Sequence, residues 1–292
     1  MQKFIGTGVA LITPFKEDLS VDFNALIKLV NFNIENGTDY LVINGTTGES
    51  ATITKEEKQQ IIDVIVKTNN NRLPLVLGVG GNNTALVLEE LKTRDFTGID
   101  GILSVAPYYS KPTQEGFYQH YKAIAETTNL PIILYNVPGR TAKNMEPATV
   151  LRLANDFTNI VAVKEAGNNQ QQYHTLLKNK PADFLVISGD DDLALGVALA
   201  GGSGVISVIG QAFPKQFSTM INHGLQGNNK DGYAIHYKMM DVIDYIFEEN
   251  NPSGVKTVLQ ELGICSNAVR LPLVKASKEL TEKISKFVSD FK

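Results

Sequence analysis

Residues 160–166 read IVAVKEA, a β-branched apolar run that ends at a lysine, a glutamate and an alanine. A run of this kind, without polar alternation, predicts a strand that is buried on both faces, as in a parallel sheet covered by helices. Similar runs recur along the chain, at residues 9–12, 40–44, 73–79, 101–106, 131–137, 184–188 and 204–209. The sequence therefore predicts a series of buried parallel strands.

Helix-like segments lie between the predicted strands. Apolar residues recur at helical spacing in residues 21–35, and Thr54 opens another segment with a capping-box pattern. The following gaps hold helix-like segments at residues 84–93, 114–127, 147–155 and 170–178. Strand–helix alternation repeated about eight times predicts an α/β fold, a (β/α)8 TIM barrel, rather than an open sheet.

The strand pattern stops after residue 225, whereas helical periodicity continues to the end of the chain. The helix-like segments of this part are residues 233–247, 255–262 and 278–291. We therefore expect two regions, a (β/α)8 barrel catalytic domain over residues 1–225 and a C-terminal helical region over residues 226–292.

The composition argues against several classes of function. The 292 residues are 43% hydrophobic, which is enough for a large core, and the formal charge of -4 shows no bias toward nucleic acid or anionic membranes. No apolar stretch is long enough to span a bilayer, and the N-terminus does not resemble a signal peptide. The single cysteine, Cys265, suits a reducing compartment. We expect a cytoplasmic protein that binds neither nucleic acid nor membrane.

Lys164 lies at the C-terminal end of its predicted strand, where TIM barrels place their catalytic residues. Burial disfavours the charged ammonium, and a neutral lysine amine is a nucleophile that forms Schiff bases with carbonyl substrates. The alternative is structural: Lys164 caps the strand end and bonds to Glu165 or to solvent.

Three other predicted strands end in polar clusters that should meet at one mouth of the barrel: residues 44–50 (NGTTGES), 107–112 (PYYSKP) and 135–141 (YNVPGRT). The first either cradles a small carboxylate or closes a strand-to-helix turn. Tyr135 is either a proton donor or a core aromatic. Arg140 either captures a substrate carboxylate or lies in solvent.

Together these motifs resemble the dihydrodipicolinate synthase family of pyruvate-dependent class I aldolases, over nearly the whole chain. The matching motifs are residues 8–15 (GVALITPF), 45–49 (GTTGE), 135–141 (YNVPGRT), 164–166 (KEA), 204–208 (GVISV) and 270–273 (RLPL). The resemblance implies a lyase that condenses pyruvate with L-aspartate 4-semialdehyde to give 4-hydroxy-tetrahydrodipicolinate, the first committed step of lysine and diaminopimelate biosynthesis. It implies no metal, no organic cofactor, and a homotetramer built as a dimer of dimers.

The resemblance also implies a catalytic set. Lys164 forms the imine with pyruvate, and Tyr135 donates and accepts protons beside it. Thr46 and Tyr109 complete a hydroxyl relay with Tyr135, and Tyr109 is the residue lent by a neighbouring subunit. Tyrosine and threonine hydroxyls suit this role because each can both donate and accept a hydrogen bond.

Substrate-binding roles follow from the same resemblance. Thr47 binds the pyruvate carboxylate, Ile206 contacts pyruvate through its backbone, and Arg140 binds the carboxylate of the second substrate. A sister aldolase that acts on N-acetylneuraminate or a keto-deoxy sugar acid is the alternative, although such lyases commonly have serine at the position of Thr46. A non-catalytic barrel that binds small metabolites is a further alternative.

Some members of the family are inhibited by lysine at a cleft of the tight dimer, and lysine-sensitive members tend to have a glutamate at the position of Leu86. Leucine cannot pair with the ammonium group of an effector, and Lys55 and Lys58 add positive charge nearby. We therefore expect lysine feedback to be weak or absent.

The acidic run at residues 190–192 (DDD) invites interpretation as a metal site. Acidic side chains that open a helix after the seventh predicted strand explain it more simply. The histidines show no metal-ligand spacing, and none of them ends a predicted strand.

Overall fold

Eight parallel strands close into a barrel in the computed structural model, which describes residues 2–291. Each strand pairs in parallel with its sequence neighbour, and the last pairs with the first. The predicted TIM barrel is confirmed. The strands are β1 Gly6–Ala10, β2 Tyr40–Ile43, β3 Leu75–Gly78, β4 Gly101–Val105, β5 Ile132–Asn136, β6 Ile160–Glu165, β7 Leu185–Ser188 and β8 Gly204–Ser207.

Helices cover the outside of the barrel: α1 Phe23–Glu35, α2 Lys55–Asn69, α3 Thr84–Thr93, α4 Gln114–Ala125, α5 Pro138–Thr141, α6 Pro147–Asp156, α7 Gln170–Asn179, α8 Ala194–Leu199 and α9 Pro214–Leu225. The predicted capping box opens α2, since Thr54 and Glu57 each bond the other's backbone N–H. The single-turn α5 lies in a segment whose glycine and proline had indicated a loop.

The region after β8 contains three longer helices, α10 Asn229–Glu248, α11 Ser253–Glu261 and α12 Lys278–Asp290. The α10 helix packs against α9 and α8, and α12 packs against α11. The α10 helix begins four residues before its expected start at residue 233. Its first turn is polar, so apolar periodicity does not reveal that turn in the sequence. The domain boundary at residue 225 stays a prediction.

The inside of the barrel is filled by a cluster of buried side chains, as is usual for this fold. At the N-terminal end, Phe4 packs edge-on against Tyr40, with ring centroids 5.9 Å apart. Gly8 is the register partner of Tyr40, and a Cβ there would lie 2.2 Å from the tyrosine ring, so glycine leaves room for that ring. At the opposite end, Tyr135 and Lys164 are register partners on β5 and β6.

None of the helices within residues 2–291 combines the length and the apolar character that crossing a bilayer requires.

Candidate active site

Lys164 is the fifth residue of β6 and is only 5% exposed. Its Nζ lies 4.5 Å from the centroid of the Tyr135 ring. Within residues 2–291 this Nζ has no hydrogen-bond or ion-pair partner, and the neighbouring Glu165 carboxylate instead accepts hydrogen bonds from Asn136 and Gln172. The amine is therefore buried and unpaired, which fits a nucleophile better than a strand cap bound to Glu165.

Gly189, the first residue after β7, leaves the space that the Lys164 side chain occupies. A Cβ at Gly189 would lie 2.9 Å from Lys164 Cε and 2.9 Å from the Glu165 carbonyl oxygen, closer than real Cβ contacts. Only glycine therefore lets the lysine side chain turn into the mouth of the barrel without displacing its neighbours.

Thr46 and Thr47 lie on a single 3-10 turn, Thr46–Gly48, that follows β2. The Thr47 hydroxyl is buried and accepts a hydrogen bond from Asn251 Nδ2 at 2.9 Å. Because Asn251 supplies the donor in this contact and the Thr47 hydroxyl donates to no other group within residues 2–291, its hydrogen can point at a bound anion. Asn251 lies between α10 and α11, and no sequence motif had singled it out.

Arg140 lies on the single-turn α5, which Pro138 opens directly after β5. Its guanidinium is exposed, and Nη2 donates a hydrogen bond to Asn250 Oδ1 at 3.2 Å. Arg140 thus lies beside the C-terminal helical region, with its planar donor group at the rim of the barrel mouth.

A cavity of about 730 Å³ opens at the C-terminal ends of the strands. Its volume is typical of small-molecule sites. Ile206 does not line it, because this residue is fully buried on β8 inside the barrel. The predicted site residues that the cavity brings together are Thr46, Thr47, Tyr135, Arg140 and Lys164.

The model of the Dihydrodipicolinate synthetase family matches residues 3–291. The chain belongs to this family. The 4-hydroxy-tetrahydrodipicolinate synthase of Flavobacterium psychrophilum is 58% identical over 98% of both chains, and that of Parabacteroides distasonis is 54% identical over 96% of this chain and 94% of its own. The predicted resemblance is confirmed.

Solved structures of the dihydrodipicolinate synthetase family have the same fold as this chain. The dihydrodipicolinate synthase of Aquifex aeolicus superposes with a TM-score of 0.95 at 40% identity, covering 99% of this chain and 98% of its own. The enzyme of Thermotoga maritima gives a TM-score of 0.96 at 38% identity, with the same coverage of both chains. The similarity therefore extends over the barrel and the C-terminal helices together.

Tyr109, another predicted site residue, also lies outside the lining of this cavity. It is 89% exposed, has a positive φ of 66°, and does not line the cavity of its own chain. A non-glycine residue in this backbone region is uncommon and marks a locally constrained conformation. Its place in the hydroxyl relay of this family member therefore stays a prediction that involves a second subunit.

Glu49 and Lys256 form an ion pair behind the threonine turn. Lys256 Nζ lies 2.5 Å from Glu49 Oε1, and the two side chains are 0% and 1% exposed. Lys256 also donates to the Ala268 carbonyl at 2.8 Å, and Glu49 Oε2 accepts from the Arg270 backbone N–H at 2.9 Å. Burial lowers the pKa of Lys256, whereas the charge of Glu49 opposes that shift. The pair fixes the end of the Thr46–Gly48 turn to the C-terminal region.

The acidic residues that follow β7 do not open a helix, because α8 begins only at Ala194. The prediction for residues 190–192 is therefore wrong. The buried Asp191 carboxylate instead accepts hydrogen bonds from the backbone N–H groups of Val208 and Ile209, which fixes the end of β8. Asp190 lines the same cavity as Lys164.

Glu165 anchors a buried polar network behind Lys164. It accepts hydrogen bonds from Asn136 and Gln172, and the Asn136 and Gln172 amides also bond to Asn144. Burial raises the pKa of Glu165 to about 7, although the hydrogen bonds from Asn136 and Gln172 act in the opposite direction. The network ties β5 to β6 and so holds Tyr135 and Lys164 in their mutual register.

The cleft expected to bind a lysine effector contains Lys55, Lys58 and Leu86, which line a separate cavity of about 510 Å³. The Leu86 side chain is 60% exposed. The cavity is also lined by the acidic residues Glu89, Glu90 and Asp95, so weak lysine feedback stays a prediction that rests on Leu86.

Proposed function

We propose that this chain condenses pyruvate with L-aspartate 4-semialdehyde through an imine on Lys164, giving 4-hydroxy-tetrahydrodipicolinate in the biosynthesis of diaminopimelate and lysine. The observation that carries the proposal is the buried, unpaired amine of Lys164 at a strand end, in one cavity with Thr46, Thr47 and Arg140. The relatives at 58% and 54% identity bear the name of this activity.

Pyruvate binds first, with its carboxylate at the Thr47 hydroxyl, whose hydrogen Asn251 leaves free. The Lys164 amine attacks the ketone, water leaves, and the resulting iminium withdraws electrons from the adjacent methyl group. Loss of a methyl proton then gives an enamine. The face of the Tyr135 ring, 4.5 Å from Nζ, stabilises the positive charge of the iminium.

The enamine carbon attacks the aldehyde of the second substrate, and Arg140 binds the carboxylate of that substrate. Each step moves a proton, so a set of hydroxyls from Tyr135, Thr46 and a neighbouring subunit's Tyr109 serves better than one strong base. Arg140 suits the role because a planar guanidinium pairs with a carboxylate through two hydrogen bonds.

We further propose that the protein acts in the cytoplasm as a homotetramer, a dimer of dimers, without metal or organic cofactor. The exposed ring of Tyr109 supports the oligomer, because this residue can enter a relay only from a neighbouring chain. Mixing inactive Tyr109→Phe and Lys164→Ala subunits should restore some activity, because mixed interfaces contain one intact site. The absence of any recovery in confirmed mixed oligomers would contradict a shared site.

Borohydride trapping tests the imine directly. Reduction in the presence of pyruvate should attach the three-carbon acid to Lys164, as read by peptide mass spectrometry, and Lys164→Ala should remain unlabelled. The exposed Lys143→Ala is the matched control and should trap pyruvate normally. An unmodified Lys164 in the wild-type protein would exclude the proposed mechanism and leave the non-catalytic alternative. Turnover assays that compare L-aspartate 4-semialdehyde with sugar acids distinguish the proposed function from that of a sister aldolase.

A further inference from the structure

A cation and a carboxylate lie just beyond the C-terminal ends of the two strands that flank β6, the strand of Lys164. Arg140 follows β5, Lys164 lies near the end of β6, and Asp190 follows β7, and all three line one cavity. The second substrate of the proposed reaction has a carboxylate and an ammonium group in addition to its aldehyde. Arg140 accounts for the carboxylate, whereas the proposed mechanism assigns no residue to the ammonium group.

Asp190 has one carboxylate oxygen available for a ligand. Its Oδ2 accepts hydrogen bonds from the Asn168 backbone N–H at 2.9 Å and from the Tyr173 hydroxyl at 3.1 Å. Its Oδ1 has no hydrogen-bond partner within residues 2–291, although an ionised carboxylate accepts through both oxygens. Asp191, by contrast, is fully buried and is held by backbone N–H groups at the end of β8.

The surroundings of Asp190 suit proton transfer at moderate pH. Burial raises the pKa of Asp190 to about 6, and the charge of Asp192 adds to this shift, while the bonds from Asn168 and Tyr173 and the charge of Lys164 oppose it. Burial raises the pKa of the Glu165 carboxyl as well, and the charge of Asp190 adds to that shift. A carboxylate tuned in this way accepts a proton more readily than an exposed aspartate.

We propose that Asp190 binds the ammonium group of the second substrate through Oδ1 and accepts a proton from it before the ring closes. The proposal rests on the function proposed above and assigns the step in which the substrate amine displaces Lys164. Because the amine arrives protonated, it has no lone pair for attack until a base removes one proton.

Ring closure begins from the iminium that joins the condensed substrate to Lys164. The ammonium group gives one proton to Asp190, and the freed lone pair forms a bond to the iminium carbon. One proton then moves from the new nitrogen to the Lys164 nitrogen. The bond between carbon and Lys164 breaks with its electron pair kept by the lysine, and the ring nitrogen forms the new double bond. Asp190 finally returns its proton to solvent.

The pairing of Arg140 with Asp190 also determines which aldehydes the site accepts. An aldehyde with both a carboxylate and an amine satisfies the two side chains, whereas a sugar acid leaves the Asp190 carboxylate without its cation. An unpaired charge in a partly buried site weakens binding, so the structure favours the amino aldehyde over the sugar.

Asp190→Asn tests the proposal. The asparagine side chain keeps one oxygen that can accept the hydrogen bonds from the Asn168 backbone N–H and the Tyr173 hydroxyl, but it cannot accept a proton from the substrate. We expect kcat with pyruvate and L-aspartate 4-semialdehyde to fall about 100-fold, the usual contribution of a positioned base. Borohydride trapping with pyruvate alone should be unchanged. With both substrates present, the variant should accumulate a heavier adduct on Lys164 that contains pyruvate and the aldehyde, because condensation proceeds and ring closure does not.

Asp183→Asn, an exposed position before β7, is the matched control and should behave as wild type. Asp192→Asn removes a charge close to Asp190 and should produce a much smaller loss of turnover, with no heavier adduct. Normal turnover in Asp190→Asn would overturn the proposal. Lost turnover without the heavier adduct would overturn it too, since Asp190 would then act before condensation. Failure of the wild-type protein to trap pyruvate would instead refute the proposed function itself.

Discussion

Replacing Lys256 with methionine tests how the C-terminal region supports the active site. The substitution keeps much of the side-chain volume but leaves the buried Glu49 carboxylate without its cation. Removing one partner of a buried ion pair costs about 3–5 kcal/mol, because the other charge stays desolvated. The Arg270 backbone N–H still donates to Glu49, which places the expected loss near the lower end of that range.

The loss should be visible in thermal unfolding. For a chain of this size, about 2 °C of Tm corresponds to each kcal/mol, so a loss near the lower end of the range should make Lys256→Met unfold roughly 6 °C below wild type. The pyruvate KM should also rise, because Glu49 ends the turn that holds Thr46 and Thr47. Differential scanning calorimetry and initial-rate kinetics at one fixed protein concentration measure both effects.

An exposed lysine provides the matched control. Lys275 and Glu17 form a pair at 2.9 Å, but the side chains are 45% and 73% exposed. Lys275→Met should therefore leave the melting temperature nearly unchanged, because solvent screens an exposed pair. The double variant Glu49→Gln with Lys256→Met should recover part of the stability, since no unpaired charge remains. Equal melting temperatures for Lys256→Met and Lys275→Met would refute the argument that the buried pair stabilises this region.

Other expected outcomes concern the barrel mouth. Tyr135→Phe should lower kcat about 100-fold or more while changing pyruvate affinity much less, because it removes a proton donor and keeps the ring; steady-state kinetics with calorimetric titration of pyruvate separate the two. Gly189→Ala should slow borohydride trapping with pyruvate, since its Cβ would lie 2.9 Å from Lys164 Cε, and normal trapping would contradict the steric argument. Millimolar lysine should leave the initial rate nearly unchanged because Leu86 offers no carboxylate, and strong inhibition would contradict this.

The barrel was predictable because its strands are buried on both faces, which makes each one a continuous apolar run. The placement of catalytic residues at the C-terminal ends of barrel strands is enough to predict that Lys164, Tyr135 and Arg140 lie at one mouth. Their roles came from the family resemblance, since a tyrosine or an arginine alone is compatible with a structural position. The least predictable element was α5, where glycine and proline signal a turn and a single helical turn gives no periodicity.

The residues that the sequence did not reveal are connected to the site by tertiary contacts alone. Asn251 reaches the Thr47 hydroxyl across 204 positions, and Lys256 reaches Glu49 across 207. Neither residue lies at a strand end, and the sequence alone assigns neither of them a role at the site. Asp190 was visible in the sequence, but its role was misassigned because acidic residues near a helix start usually stabilise that helix.

Lys164 and Lys256 show why burial by itself does not identify a nucleophile. Both side chains are almost inaccessible, at 5% and 0% exposure. Lys256 is paired with Glu49 and bonded to a backbone carbonyl, and these partners favour the charged form and occupy its hydrogens. Lys164 has no such partner within the described residues and faces a cavity. The difference between the two lysines therefore follows from access: Glu49 and the Ala268 carbonyl take up hydrogens of the Lys256 ammonium, whereas the Lys164 nitrogen faces the cavity, where a carbonyl substrate can reach it.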